Sequence, residues 1–164
     1  MELFDVVDKN RNFLGYTKQR GEELNDNEYH VGVEMWLFNN KKLLMTQRSL
    51  NKSHPGKWEV PGGGSQTKEK SLDTLKRELK EEVGLSLKED YELINTVIYK
   101  KQFVDMYKSN MLVDLSKVVL QEEEVSDIKF VSQKEFMMMA HKGEIVASVY
   151  QRYETIKDKI KEDW

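Results

Sequence analysis

The sequence predicts one α/β domain built on a mixed sheet. Three observations carry this expectation. Short strand-like segments dominate the chain. A single helix of 3.6-residue period interrupts them directly after "PGGGS", residues 61–65. Helical patterns return only near the C-terminal end, at about 133–161. Strands with helices in the middle and at the end pack as layers around one sheet. The 164 residues are enough for a single domain spanning 1–164 with a real core. No repeat, low-complexity tract or linker divides them.

In chain order, "ELFDVVDKNRNFLGY" reads as a β-hairpin over about residues 2–17, turning at Lys9-Asn10-Arg11-Asn12. "HVGVEMWLF" and "KKLLMTQR" form a longer hairpin with its turn at Asn39-Asn40. A polar loop, Ser49 to Lys57, leads to the short apolar "WEV". "PGGGS" reads as a strong break, with Ser65 or Thr67 as the cap of the following helix. In that helix Leu72, Leu75, Leu79 and Val83 keep helical spacing, and Gly84 suits the C-terminal cap. "YELINTVIY", "QFVDMYKSNMLVDL" and "DIKFVS" are strands. Ser132 and Glu135 make a capping box before "EFMMMA", whose methionines read as adaptable core fillers. A last amphipathic helix runs from Ile145 to about Lys161, and "KDKIKEDW" reads as its solvated end.

Composition narrows the function. Lys and Arg total 26 against 29 Asp and Glu, a net charge of −3. That excludes the global basic field that recruits nucleic acid polymers. A small phosphorylated ligand still fits, because a local site can be basic. Cysteine is absent, so disulfides, thiolate metal sites and a cysteine nucleophile are excluded. With no signal-peptide pattern and no apolar run near the ~18 residues of a membrane span, a cytoplasmic location without membrane contact is expected.

The stretch "RELKEEVGL" holds three carboxylates, Glu78, Glu81 and Glu82. On a helical wheel with Glu78 at 0°, Glu82 falls near 40° and Glu81 near −60°, within an arc of about 100°. The leucines and Val83 occupy roughly 60° to 140°, so the acidic stripe borders the buried face. Shielded anions at that border raise one another's pKa. A divalent cation relieves the conflict, and hard Mg²⁺ takes a few carboxylates and completes its shell with water and phosphate oxygens. Taken alone, the same letters also describe a solvated helix end with an Arg77–Glu81 pair.

The longer stretch decides between these. From Gly63 the chain reads Gly, five residues, Glu69, seven residues, Arg77-Glu78-Leu79, one residue, Glu81-Glu82, one residue, Gly84-Leu85. This resembles the complete Nudix box, residues 63–85. The resemblance implies an α/β/α sandwich in which the box forms a loop–helix–loop. It implies a hydrolase that cleaves a diphosphate linkage in a nucleoside diphosphate derivative or similar small molecule. It implies Mg²⁺, with Mn²⁺ as substitute, held by Glu78, Glu81, Glu82 and the Gly63 carbonyl. Arg77 and Glu69 would orient those ligands, and Glu81 or Glu82 would take the proton from water. A homodimer is common in the family. Lys68 departs from the commonest form, which has Gly before the Glu, at a position outside the fixed letters.

A second resemblance covers about Leu3 to Trp58. "DVVDKNRNFLG" and "YHVGVEMWLFNNKKLLMTQRSLNKSHPGKW" are similar to type 1 isopentenyl-diphosphate isomerases, which share the fold but isomerise. Those enzymes use a cysteine and then a metal-binding histidine just after the tryptophan, where this chain has "EVPGGGS". The chemistry therefore points to hydrolysis, with an isomerase-like enzyme or a non-catalytic nucleotide-sensing domain on the same scaffold as the alternatives. Arg48 and Lys52 match residues that grip the isomerase diphosphate; read alone, they are also an ordinary basic loop. His30 matches an isomerase metal ligand without its partner histidines and reads better as structural. His54 and His141 have no supporting context. Glu123 and Glu124 of "QEEEVSD", less so Glu122, are further carboxylates for metal or base, or a solvated run; Asp105 is a weaker option. Trp36, Trp58, Tyr99 and Phe103 lie outside the box and are specificity or core residues.

Overall fold

The computed structural model describes residues 2–164. Nine strands and three α-helices follow one another: β1 (Leu3–Val7), β2 (Phe13–Gln19), β3 (His30–Asn39), β4 (Lys42–Arg48), β5 (Trp58–Glu59), β6 (Gly62–Gly64), α1 (Ser71–Val83), β7 (Glu92–Tyr99), β8 (Gln102–Ser109), β9 (Val125–Val131), α2 (Gln133–His141) and α3 (Ala147–Ile156). β1 and β2 pair by themselves. The other seven form one sheet in the order β5-β4-β3-β8-β7, with β6 added to β3 and β9 to β4. β3 runs parallel to β8 and antiparallel to its other partners, so the sheet is mixed as expected.

β3 organises the layers. Side chains of a strand alternate between faces. Val33, Met35 and Leu37 meet Leu75, Leu79 and Val83 of α1 in one core. Trp36 and Phe38 point the other way, into a second core with Phe136 of α2 and Val149, Tyr153 and Ile156 of α3. The result is α1 on one face and α2 and α3 on the other. Both faces of β3 are covered, which is why it reads as one apolar run rather than an alternating pattern. Glu34 is the exception within that run, and it lies on the α3 side.

Several expectations shift in register. The β3–β4 turn is centred on Asn40-Lys41, one residue beyond Asn39-Asn40, since Asn39 pairs with Lys42. Both central residues have positive φ, 50° and 63°, as a two-residue type I′ turn requires. Neither Ser65 nor Thr67 caps α1. The helix starts later, with Lys70 as the capping residue, while Thr67 donates to Asp5 and Ser65 accepts from Thr74. Gly84 does close the helix in the left-handed conformation, φ 70°, and its N–H reaches the Lys80 carbonyl. The Ser132–Glu135 capping box opens α2 as expected. Of its methionines only Met139 is buried; Met137 and Met138 face outward.

Two corrections are larger. The last helix ends at Ile156, and the tail turns back instead of extending as a solvated end. Ile160 is fully buried and Trp164 packs edge-on against Phe38 at 5.0 Å. The glycines after Pro61 are not a break either. They form β6, where Gly62, Gly63 and Gly64 stand opposite Glu34, Val33 and Gly32.

Two of its glycines leave no free room for a Cβ, for different reasons. A Cβ on Gly62 would lie 2.2 Å from the Val33 carbonyl, a backbone atom that cannot yield. A Cβ on Gly63 would lie 2.2 Å from a Glu78 carboxylate oxygen, the end of a side chain that can. Gly62→Ala is therefore expected to unfold at markedly lower urea concentration. Gly63→Ala should stay folded but lose activity, because it evicts Glu78. A urea melt and a turnover assay on both variants check the split.

Candidate active site

α1 carries the acidic stripe, and the glycine strand carries the helix's partner groups. Glu78 and Glu82, one turn apart, are both buried at the edge of the core, 8 % and 4 % exposed. Burial pushes the Glu78 carboxyl up, against the opposing charge of Arg77. Glu82 is pushed up to about 8, first by burial and then by the charge of Glu78. The two carboxylates are in the conflict that the sequence spacing anticipates. Glu81 sits differently: it bonds Arg77 at 3.0 Å and is half exposed. Among the described residues no three carboxylate or imidazole groups close on one point.

Arg77 is the hub. Its Nε and Nη2 hold both oxygens of Glu69 at 2.6 and 3.0 Å. Nη1 donates to Glu78 and Glu81, each at 3.0 Å, and Nη2 also donates to the Gly64 carbonyl at 3.0 Å. Burial alone would raise the Glu69 carboxyl, but the bonds from Arg77 hold it below its ordinary value. Glu69 in turn accepts the Gln66 N–H at 2.8 Å. One guanidinium thus ties the loop before α1, the strand β6 and two of the three glutamates together.

The ladder specifies which backbone groups face those glutamates. Ser65 N–H bonds the Val31 carbonyl and Met35 N–H bonds the Pro61 carbonyl. In an antiparallel pair the bonded partners alternate. Gly63, midway between them and opposite Val33, therefore turns its carbonyl toward β3. Gly62 turns both its backbone groups the other way, and its N–H faces the Glu82 carboxylate. The outward backbone oxygen at this point of the ladder is that of Gly62, one residue before the position the resemblance names.

A cavity of about 390 Å³ lies along this strand. Glu78 and Glu82 are not among its lining residues, but Glu78 abuts the lining residue Gly63. Lys52, which does line it, comes within 3.8 Å of Glu82 and also pairs with Glu124. Arg48 lines it too, and its Nη1 holds both oxygens of Glu59 at 2.9 and 2.8 Å. Both basic residues thus reach the site in carboxylate pairs. Of the acidic run, Glu124 arrives through Lys52, whereas Glu123 contributes its carbonyl to Ser49.

Other expected residues fall elsewhere. Asp105 is buried in a two-bond pair with Arg11 at 2.7 and 2.9 Å, which ties the β1–β2 hairpin to β8. Trp36 and Trp58 are core residues, and Phe103 packs under Arg11 and against Tyr29. His30 lines the cavity beside Phe4, and burial, helped by Arg20, lowers it to about 4. It is neutral at pH 7 and serves as structure. A folded pKa below the unfolded value of 6.5 gives stability that is full above pH 6.5 and lost as pH falls through about 4. His30→Gln should therefore lose less melting temperature than the parent between pH 7 and 4.5; thermal melts at both pH values compare the two.

Sequence reading missed Glu59, Glu34 and Arg152, all in the cavity wall. A lone acid inside the apolar segments "HVGVEMWLF" and "WEV" was the available signal. Arg152, on a helix more than a hundred positions from β3, gave none.

Comparisons with known proteins bear on the family and the fold. Residues 28–153 match the NUDIX domain family. An uncharacterised Nudix hydrolase of Listeria innocua is 33 % identical over 154 residues, covering 89 % of each chain. Nudix hydrolase 3 of Arabidopsis thaliana is 34 % identical over 152 residues, 82 % of this chain and 20 % of that one. Among solved structures, DR0079 of Deinococcus radiodurans superposes with a TM-score of 0.74 at 18 % identity, over 88 % of this chain and 92 % of that one. The NUDIX domain of Shewanella oneidensis NrtR, complexed with ADP ribose, gives 0.66 at 21 % identity over 89 % and 94 %. A bifunctional NMN adenylyltransferase/ADP ribose pyrophosphatase of Francisella tularensis, with AMP and Mn ion, gives 0.67 at 17 % over 80 % and 42 %. Among the described residues no helix is long and apolar enough to cross a membrane. The sandwich, the box helix and the family match converge, and the chain belongs to the Nudix hydrolase family.

Proposed function

We propose that this hydrolase cleaves the diphosphate linkage of a nucleoside diphosphate derivative or similar small-molecule diphosphate, using Mg²⁺ or Mn²⁺. The observation that carries the reading is the buried pair Glu78 and Glu82, set against the outward backbone of β6, with Glu78 oriented by Arg77. The donor set fits a hard divalent cation: two carboxylates with raised pKa values, a peptide oxygen of the glycine strand (Gly62 by the ladder, Gly63 by the resemblance), and Glu81 on the same helix. When bound, the cation offsets diphosphate charge and acidifies an attacking water.

The chain's own residues do the rest. Arg77 and Glu69 hold Glu78 in place. Arg48 and Lys52 exchange their carboxylate partners for phosphate oxygens, Arg48 as a fork and Lys52 as a point charge. The water's proton passes to Glu81 or Glu82, or to Glu124 held by Lys52. The ADP ribose and AMP–Mn complexes of the structural neighbours support the substrate class. The test is a screen of diphosphates with Mg²⁺ and with Mn²⁺, scored by released phosphate or nucleotide. Turnover of at least one is expected, and none with either metal would refute the reading. The isomerase-like segment Leu3 to Trp58 motivates a second arm, isopentenyl diphosphate, scored for the allylic product. None is expected, because the chain has no cysteine to supply that chemistry.

A further inference from the structure

In the wall of the cavity Glu34 of β3 meets Arg152 of α3. Glu34 is 3 % exposed and accepts the Arg152 Nε at 2.8 Å and the Trp36 Nε1 at 3.0 Å. Burying an ion pair is costly compared with an apolar pair of the same volume. Trp36, Val104 and Val149 on this face are apolar, and the nearby Glu59 has the same sign as Glu34 and is itself paired with Arg48, so neither packing nor that neighbour gives a reason for the charge. Arg152 engages Glu34 only through Nε. Among the described residues its two Nη groups have no hydrogen-bond partner. They form an unspent fork of donors, held in place by the carboxylate behind it and by Tyr99, whose ring centre is 5.9 Å away. The pair is also close to the chemistry: Glu34 stands directly opposite Gly62, whose N–H faces Glu82.

We infer that Glu34 and Arg152 read the group attached beyond the diphosphate, and that this group is rich in acceptor oxygens, as a ribosyl or other sugar is, rather than a hydrocarbon. The inference rests on the diphosphate-hydrolase reading above and adds the residues that select the substrate. The Arg152 Nη groups donate to a sugar oxygen, and Glu34 keeps the guanidinium plane turned to the cavity. A hydrocarbon in the same place would leave that fork desolvated without a partner, a penalty larger than a missing methylene gives.

The experiment measures kcat and KM of the full chain on ADP-ribose and on geranyl diphosphate, with Arg152→Met, Arg152→Lys and Glu34→Gln as variants. The parent should prefer ADP-ribose. Arg152→Met should lower the ratio of the two kcat/KM values by about tenfold or more, chiefly through KM for ADP-ribose. Arg152→Lys keeps a charge against Glu34 without the fork and should show the same loss of preference, so it decides the matter if the methionine variant is unstable. A parent without that preference, or a ratio unchanged in both Arg152 variants, overturns the inference and leaves the hydrolase reading standing. A parent that cleaves neither compound nor any other diphosphate overturns both.

Discussion

Glu82→Gln is expected to lower kcat by about 100-fold or more, while the purified variant melts at or above the parent's temperature in EDTA. The two halves of this result have one cause. Glu82 is buried beside Glu78, and its pKa of about 8 records how unfavourable a charge is there, first through burial and then through Glu78. Glutamine keeps the shape and can still accept the Gly62 N–H, and it gives up only the 3.8 Å approach of Lys52, which keeps Glu124 as its partner, so the fold loses little. The same substitution removes the carboxylate that, with Glu78, gives a cation its reason to bind. Mg²⁺ should raise the melting temperature of the parent and leave that of the variant nearly unmoved. Thermal melts with and without Mg²⁺, beside a turnover assay, test both halves. A variant that turns over like the parent refutes the role of Glu82.

Arg77→Met should cost both stability and activity. The side chain is 18 % exposed and its guanidinium serves Glu69, Glu78, Glu81 and the Gly64 carbonyl. Removing it strands a partly buried carboxylate pair, an event that costs about 3 kcal/mol in comparable settings. Glu78 then loses its orientation, and kcat should fall by about 10- to 100-fold. Arg77→Lys should recover little, because one ammonium cannot span four acceptors on a loop, a strand and a helix. Urea melts give the first number and steady-state kinetics the second. Loss of stability with full activity would show that Arg77 only supports the fold.

The box was legible because its constraints are local. The spacing of Glu78 and Glu82 on one helix, the leucines behind them and the cap at Gly84 all lie within α1 and its ends. The capping box at Ser132 was legible for the same reason. The glycine strand was not, because glycines signal a turn unless the neighbouring atoms are known. Here Glu78 and the Val33 carbonyl fill the space that a side chain would need. The tail was misread because Ile160 and Trp164 find their partners on β3 and α2, far away in sequence. Glu34 and Glu59 left only the signal of a lone acid in an apolar segment, and Arg152 left none until α3 brings it to the same cavity. Arg48 and Lys52 both line the cavity, but their carboxylate partners, Glu59 and Glu124, were not foreseen.

The central claim is that Glu78 and Glu82 hold the cation on which hydrolysis depends. Mn²⁺ titration followed by loss of the free-ion EPR signal tests it without reference to any substrate. The parent should bind Mn²⁺, and Mg²⁺ should compete it off. The Glu78→Gln, Glu82→Gln double variant, folded by thermal melt, should leave the free-ion signal undiminished. A folded double variant that takes up Mn²⁺ as the parent does would contradict the account.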